Sequence, residues 1–224
     1  MNDQKTIVLV LRSGGDFSFT DVELISSHIL KKWKGEIKPR IICLWDNATT
    51  EYNLGNVDVV PLTNRYRGTW SRMMLYSPEM DKYRPFLYMD LDTAVIKSVE
   101  NIFNLISNPS EFVVLEDFWQ GQRRIATPLV WFPAGSSKVS KVWKAWSRNP
   151  VSSGFRMDYF LRNNTQADRF WQELTNTIYD FKPHPKIFLT TLPEDANVVC
   201  FHGHPRIPEA VGIDWVERYI KEAV

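Results

Sequence analysis

The sequence predicts an α/β fold, a mixed, mostly parallel sheet flanked by helices, organised as one domain over residues 1–224. Three observations predict it. The first apolar run, Ile7-Val8-Leu9-Val10-Leu11, is continuous rather than alternating, as in a strand buried on both faces. A helical pattern and a second apolar run follow at the spacing of a βαβ unit, which implies a parallel pair. Short apolar runs then alternate with helical patterns to the end, with no internal repeat, low-complexity stretch or Pro/Gly-rich linker.

After the first strand, Arg12-Ser13-Gly14-Gly15-Asp16 forms a loop. Thr20 is the expected cap of a helix over residues 21–33, with Glu23 as its capping-box partner. Val22, Leu24, Ile25, Ile29, Leu30 and Trp33 form the inward face of that helix. Residues 40–45 are the second strand, ending in Asp46, and residues 57–62 a short third. Residues 70–75 predict a short helix stopped by Pro78. The strand Phe86-Leu87-Tyr88-Met89 runs directly into Asp90-Leu91-Asp92-Thr93. Val95-Ile96 continues extended, residues 99–106 read as a helix, and residues 112–115 and 128–132 as two strands. Ser136-Ser137 open a helix with Val139, Val142, Trp143 and Trp146 on one face. A helical stretch over about 167–174, a last strand at 197–201 and a closing helix at 211–223 complete the chain.

Composition narrows the function classes. Apolar residues at 44% and charged residues at 24% match a globular protein rather than a disordered one. With 27 Lys plus Arg against 26 Asp plus Glu, the net charge of +1 gives no basic surface for nucleic acid, though a small anionic ligand needs only a few local cations. The nine Trp, thirteen Phe and eight Tyr are core material first, with some rings available to line a sugar or nucleotide pocket. Cys43 and Cys200 form no CxxC pair and lie in strand-like runs, so both are expected to be buried and reduced. The apolar run at residues 6–11 is too short for a signal segment or a membrane span, and a cytoplasmic location is expected.

The chemistry-bearing residues gather at strand ends. In open parallel sheets, ligands bind beyond the carboxyl ends of the strands. Strand 86–89 finishes there in Asp90 and Asp92. Carboxylates this close repel unless a cation sits nearby, and Mg²⁺ or Mn²⁺ is the natural hard cation for oxygen ligands. D-x-D by itself is common, and its plain meaning is a pair of solvated turn carboxylates; the end of a buried strand favours metal. In an extended chain the two side chains share a face. If the chain bends, Asp92 faces the metal and Asp90 a nucleotide ribose. A second strand ends in Val198-Val199-Cys200-Phe201-His202-Gly203-His204-Pro205-Arg206. His202 alone would pass as a structural histidine; beside two carboxylates it offers a nitrogen ligand suited to Mn²⁺. Gly203 lets backbone approach a diphosphate, and Arg206 brings a planar fork for phosphate oxygens.

On these two motifs the chain resembles GT-A fold glycosyltransferases of the glycogenin, family 8 type and their bacterial relatives. Phe86-Leu87-Tyr88-Met89-Asp90-Leu91-Asp92-Thr93 is similar to their Leu-Tyr-Leu-Asp-x-Asp-Thr segment, and the stretch 199–206 to their His-Gly-Lys-Pro-like element. Leu11-Arg12-Ser13-Gly14-Gly15 and Trp70-Ser71-Arg72-Met73-Met74-Leu75 look like a bacterial subgroup, so the resemblance spans residues 7–209. It implies a Rossmann-like GT-A fold. It also implies transfer of a sugar from a nucleotide-diphosphate sugar, foremost a UDP-sugar, to a glycan, lipid or protein acceptor with the help of Mn²⁺ or Mg²⁺. By resemblance, Asp90, Asp92 and His202 hold the metal, Asp90 also meets the donor, and Gly203 and Arg206 meet the diphosphate. Arg72 contacts the donor, and Arg12, Ser13 and Asp46 lie where the nucleotide is read.

Departures from the family pattern fall at the metal-binding histidine and at two segments that approach the sugar and acceptor. The family's histidine stands three residues before the glycine, where this chain has Cys200; His202 lies two positions on, on the same strand face. The Asn-Ser-Gly turn expected near residues 128–131 is missing, and residues 165–171 do not match a Gly-Asp-Gln element in register. Asp117 and Asp168 are the candidate base or nucleophile, ahead of Glu116. Three rivals stand beside the transferase. A phosphohydrolase of the DxDx(T/V) type needs Thr or Val where Ala94 stands, and a nucleotidyltransferase is kept alive by Arg12-Ser13-Gly14-Gly15. A non-catalytic nucleotide-sugar-binding protein that kept the fold is favoured by the missing turn.

Overall fold

The computed structural model describes residues 4–63, 66–150, 157–183 and 187–223. In chain order the elements are β1 (Thr6–Leu11), α1 (Phe19–Lys32), β2 (Arg40–Trp45), β3 (Tyr52–Leu54), β4 (Val57–Pro61), β5 (Phe86–Met89), β6 (Thr93–Val95), α2 (Glu100–Phe103), β7 (Val113–Glu116), β8 (Ile125–Phe132), α3 (Ser137–Arg148), α4 (Met157–Asn164), β9 (Arg169–Phe170), α5 (Trp171–Leu174), β10 (Ile178–Asp180), β11 (Val198–Cys200) and α6 (Asp214–Glu222). Eight strands make one sheet in the order β3-β4-β2-β1-β5-β8-β7-β9, and β10-β11-β6 make a second. β4, β2, β1 and β5 are mutually parallel, whereas β8 runs antiparallel between β5 and β7. The expected mixed, mostly parallel sheet is therefore present.

The continuous apolar runs are explained by burial on both faces. Ile7, Leu9 and Leu11 of β1 pack with Val22, Ile25 and Ile29 of α1 on one side. Val8 and Ile42 pack on the other with Met73, Met74 and, from α3, Val139, Val142 and Trp146. Alternate residues of one strand thus feed two cores, the period of two of an extended chain. A third cluster, with Phe181, Phe201, Trp215 and Tyr219, lies against the small sheet.

Local departures have local causes. α1 begins earlier than expected because Ser18, not Thr20, is the cap, and the Asp21 carboxylate accepts from the Ser18 backbone N–H at 2.7 Å. The segment Gly68–Tyr76 is a 3₁₀ helix. The helix expected over 167–174 divides, since Arg169 and Phe170 pair with β7 before the chain turns into α5. Cys43 and Cys200 are free thiols and buried, as expected, and burial pushes the Cys43 thiol up to about 12. Among the described residues no helix is long and apolar enough to cross a membrane.

One junction positions the site. The Asp90 N–H donates to Pro128 O at 2.9 Å, holding the end of β5 against β8, and the Thr93 N–H returns to Asp90 O at 3.1 Å. The chain therefore bends across Asp90–Thr93 and leaves the large sheet for the small one. The Phe201 N–H donates to Asp92 O at 2.9 Å, so the end of β11 is tied to the same bend. Strand ends of both sheets meet at the two aspartates.

His28 makes a pH-dependent contribution to this packing. Its ring is fully buried, stacked on Tyr219 at 3.7 Å, and its Nε2–H donates to Tyr219 O at 2.7 Å. Burial holds the ring's pKa down to about 4, below the ordinary 6.5. Between those values the unfolded chain binds the extra proton, so stability is complete above about pH 6.5 and is lost as the pH falls towards 4. Urea unfolding at pH 7 and pH 4.5 should show His28→Gln losing less stability than wild type, by on the order of 2 kcal/mol. Equal losses in the two proteins would remove this role.

Candidate functional site

The centre is a pair of buried aspartates, each matched by one guanidinium. Asp90 and Asp92 are 7% and 5% exposed. The Tyr88 hydroxyl donates to Asp90 Oδ1, and Arg72 Nη2 lies 3.1 Å from Asp90 Oδ2. Arg72 Nη1 donates to Thr127 Oγ1 at 3.1 Å, and that hydroxyl donates on to Asp158 at 3.0 Å. Arg206 Nη1 pairs with Asp92 Oδ2, while its Nη2 donates to Asp16 Oδ2 at 2.8 Å. The guanidinium also lies 4.7 Å over the Phe17 ring. Burial raises the pKa of both aspartates, and the charge of Asp90 raises Asp92 further, against the pull of the two arginines. Burial works against the charge of Arg72, yet Asp90 keeps its pKa above the usual arginine value. The pair is an electrostatic demand for cations, partly met by protein.

A second group sits at the ends of β1 and β2. Asp46 accepts from the Ser13 N–H at 2.7 Å and lies 3.4 Å from Arg12 Nε. One carboxylate thus joins the three residues expected to read a nucleotide.

The third group flanks the centre on the side of the small sheet. Asp180, at the end of β10, accepts from the Trp119 indole N–H at 2.8 Å and from the Lys182 N–H at 2.9 Å. Burial pushes Asp180 up to about 6. His202 Nε2 is buried, lies 3.6 Å from Asp180 Oδ1 and has no hydrogen-bond partner among the described residues. Burial, then the Lys182 charge, pushes the His202 ring down to about 4, so it is neutral at pH 7. Lys182 Nζ donates to His204 O at 2.9 Å, and Gly203 holds a left-handed φ of +64 beside it. A side chain at Gly203 would strain the backbone there. Asp117 organises the loop after β7, accepting from the N–H groups of Trp119 and Gln120 at 3.0 Å and from Arg162 at 2.9 Å.

The structure brings most of the sequence-predicted residues together, with two exceptions. Among the described residues, the carboxylate at ion-pair distance from His202 is that of Asp180, not Asp90 or Asp92. Nor do three or more His, Cys, Asp or Glu side chains converge there as a metal cage. The donor chemistry fits a hard divalent cation at the two aspartates, and the expected third ligand, His202, stands beside Asp180 instead. Asp168 lies at the opposite end of β7 from Asp117, accepting from the Phe112 N–H at 2.8 Å and pairing with Lys138. That carboxylate pins the sheet edge. Several site residues were not singled out by the sequence: Tyr88 reads as strand within the aspartate motif, Asp16 as loop, and Asp180, Lys182 and Trp119 lie in stretches without a motif. Asp180 was findable only as a carboxylate at a strand end, and its strand is three residues long.

No protein-family model and no curated protein matches the sequence. Solved structures do match in three dimensions. The bifunctional glycosyltransferase WbbM superposes with a TM-score of 0.66 at 9% identity, covering 100% of this chain and 50% of that one. The galactosyltransferase LgtC, in complex with donor and acceptor sugar analogs, gives 0.61 at 13%, covering 97% of this chain and 95% of that one. The glycosyltransferase GlyE of Streptococcus pneumoniae gives 0.63 at 11%, covering 100% and 61%. This chain thus spans about half the length of WbbM and nearly all of LgtC. The likeness is one of fold: the chain has the Rossmann-like GT-A fold of these glycosyltransferases.

Proposed function

We propose that this chain is a glycosyltransferase that takes a sugar from a nucleotide-diphosphate sugar, foremost a UDP-sugar, with Mn²⁺ or Mg²⁺ joining Asp90 and Asp92 when the donor binds. The observation that carries the reading is the buried aspartate pair at the meeting of two sets of strand ends, each carboxylate facing one arginine. Bonds to a diphosphate break with negative charge growing on the leaving group, and fixed positive groups stabilise that charge where it forms. A bound divalent cation would supply such stabilisation and orient the diphosphate. Arg206, steadied by Asp16 and Phe17, offers its fork to phosphate oxygens, and Gly203 leaves room for them. Arg72 keeps Asp90 ionised and adds a second positive group. Asp46, already joining Arg12 and Ser13, is the acceptor we assign to the nucleotide's hydroxyls.

Asp180 and Asp117 flank the centre, and the raised pKa of Asp180, about 6, suits a carboxylate that takes a proton near neutral pH. Asp168 stays the outlying candidate, its carboxylate engaged at the sheet edge. The reading takes residues 1–224 as one functional unit in a reducing, cytoplasmic setting, supported by the free thiols of Cys43 and Cys200. The same ion pairs favour a second reading, nucleotide-sugar binding without transfer, because both carboxylates already face a cation of the protein itself.

Calorimetry with UDP-, GDP- and CMP-sugars tests both. A UDP-sugar is expected to bind at least tenfold more tightly with Mn²⁺ than after chelation, and free UDP should accumulate with time. Affinity indifferent to the chelator would remove the cation, and binding without UDP release would leave the second reading. Binding of none of the three donor classes would overturn the proposal.

A further inference from the structure

All nine tryptophans lie within the described residues, and Trp119 is the exposed one, with 49% of its surface open. Its edge is fixed. The indole N–H is shared between Asp180 Oδ2 at 2.8 Å and Lys182 O at 2.6 Å, and its backbone N–H donates to Asp117 Oδ1 at 3.0 Å. The loop after β7 and the segment after β10 therefore hold one ring between them by its polar edge. Other exposed apolar side chains, such as Ile37 and Val211, have no polar edge to be held by. A large ring oriented by hydrogen bonds while it stays open to solvent is set up for contact, because its orientation is settled before a ligand arrives.

The surroundings define what the ring would contact. Asp117, with 22% of its side chain open, offers a carboxylate acceptor, whereas Asp180 and the Nε2 atom of His202 are buried. Phe118, next in the chain, has its ring 5.6 Å from that of His202. Lys182 connects this group to the Arg206 loop through His204 O. An apolar ring face beside a carboxylate acceptor matches a pyranose: flat C–H groups on one side and hydroxyl donors around the rim.

We propose that Trp119 is the stacking platform of an acceptor subsite, and that the acceptor is a glycan presenting a pyranose ring to the Trp119 face while the Asp117 carboxylate receives its hydroxyls. The inference rests on the donor being bound at Asp90, Asp92 and Arg206, and it deepens that reading by assigning the acceptor to carbohydrate rather than to a lipid or a peptide side chain.

The test uses the full chain labelled with 5-fluorotryptophan, titrated with lactose, cellobiose and maltose, with and without UDP and Mn²⁺. At least one disaccharide should shift the Trp119 fluorine resonance and show saturation transfer to its ring C–H protons. Its Kd should rise about tenfold in Trp119→Ala and less in Trp119→Phe, which keeps a stacking face. Nucleotide affinity, read separately by calorimetry, identifies failure of the donor reading; the disaccharide arm without UDP stays interpretable in that event. Unchanged disaccharide affinity in Trp119→Ala overturns the platform. So does a wild-type protein that binds none of the disaccharides in either arm.

Discussion

Asp92→Asn is expected to lower UDP release from a UDP-sugar by about 10²–10⁴-fold, the range for a lost electrostatic group acting on a transition state. The substitution should leave the fold at least as stable as wild type. Asparagine keeps the size of the side chain and does not disturb the backbone carbonyl of residue 92, which holds the Phe201 N–H. Burial and the neighbouring Asp90 raise the Asp92 pKa in the folded chain, so its ionisation opposes folding. The sign follows from linkage. A carboxyl raised above its unfolded value contributes stability below the unfolded pKa, and that stability is lost as the pH rises through the folded one. Asp92→Asn should therefore flatten the decline of stability between about pH 4 and about pH 7, measured by urea unfolding without added metal. Initial rates of UDP release under Mn²⁺ supply the other half, and full activity in the variant would end the metal and donor role. The combination discriminates, because a variant that was merely misfolded would lose activity and stability together.

Much of this site was legible in the sequence because strand ends carry both signals needed. A four-residue apolar run leading into Asp90 and Asp92 marks where a buried strand meets the ligand edge, and residues 198–206 mark a second such place. The parallel centre of the sheet followed from continuous apolar runs in β1, β2 and β5. What was not legible depends on contacts across long sequence separations or on short elements. Arg206 reaches Asp16 across 190 positions, and no local pattern encodes that pair. β9 is two residues long and draws its strand character from pairing with β7, so the propensity of residues 167–174 pointed to helix. His202 shares a strand face with Cys200, yet alternation says nothing about which carboxylate lies opposite. Asp180 became its neighbour because β10 pairs with β11 in parallel register, with Asp180 beside Cys200. Asp117 and Asp168 looked equivalent as acceptor-side carboxylates, one after a strand and one in a helical stretch, but they lie at opposite ends of β7.

Arg72→Met tests the other half of the centre, and its expected effect falls on stability as well as activity. The guanidinium faces Asp90 Oδ2 at 3.1 Å in a setting where Asp90 is 7% exposed. Removing it leaves a buried carboxylate whose remaining partner among the described residues is the Tyr88 hydroxyl. Breaking a buried pair from one side typically costs about 3–5 kcal/mol, because the stranded charge has lost its compensation rather than because the pair itself was worth that much. Arg72→Met should therefore destabilise strongly at pH 7, while Asp90→Asn in the same background restores most of the loss. The deficit should also shrink towards pH 5, since Asp90 without its arginine protonates more readily and a neutral acid is cheaper to bury. A double-mutant cycle by urea unfolding reads the coupling directly. Strict additivity of the two substitutions would mean that Arg72 does not hold Asp90 in its charged form.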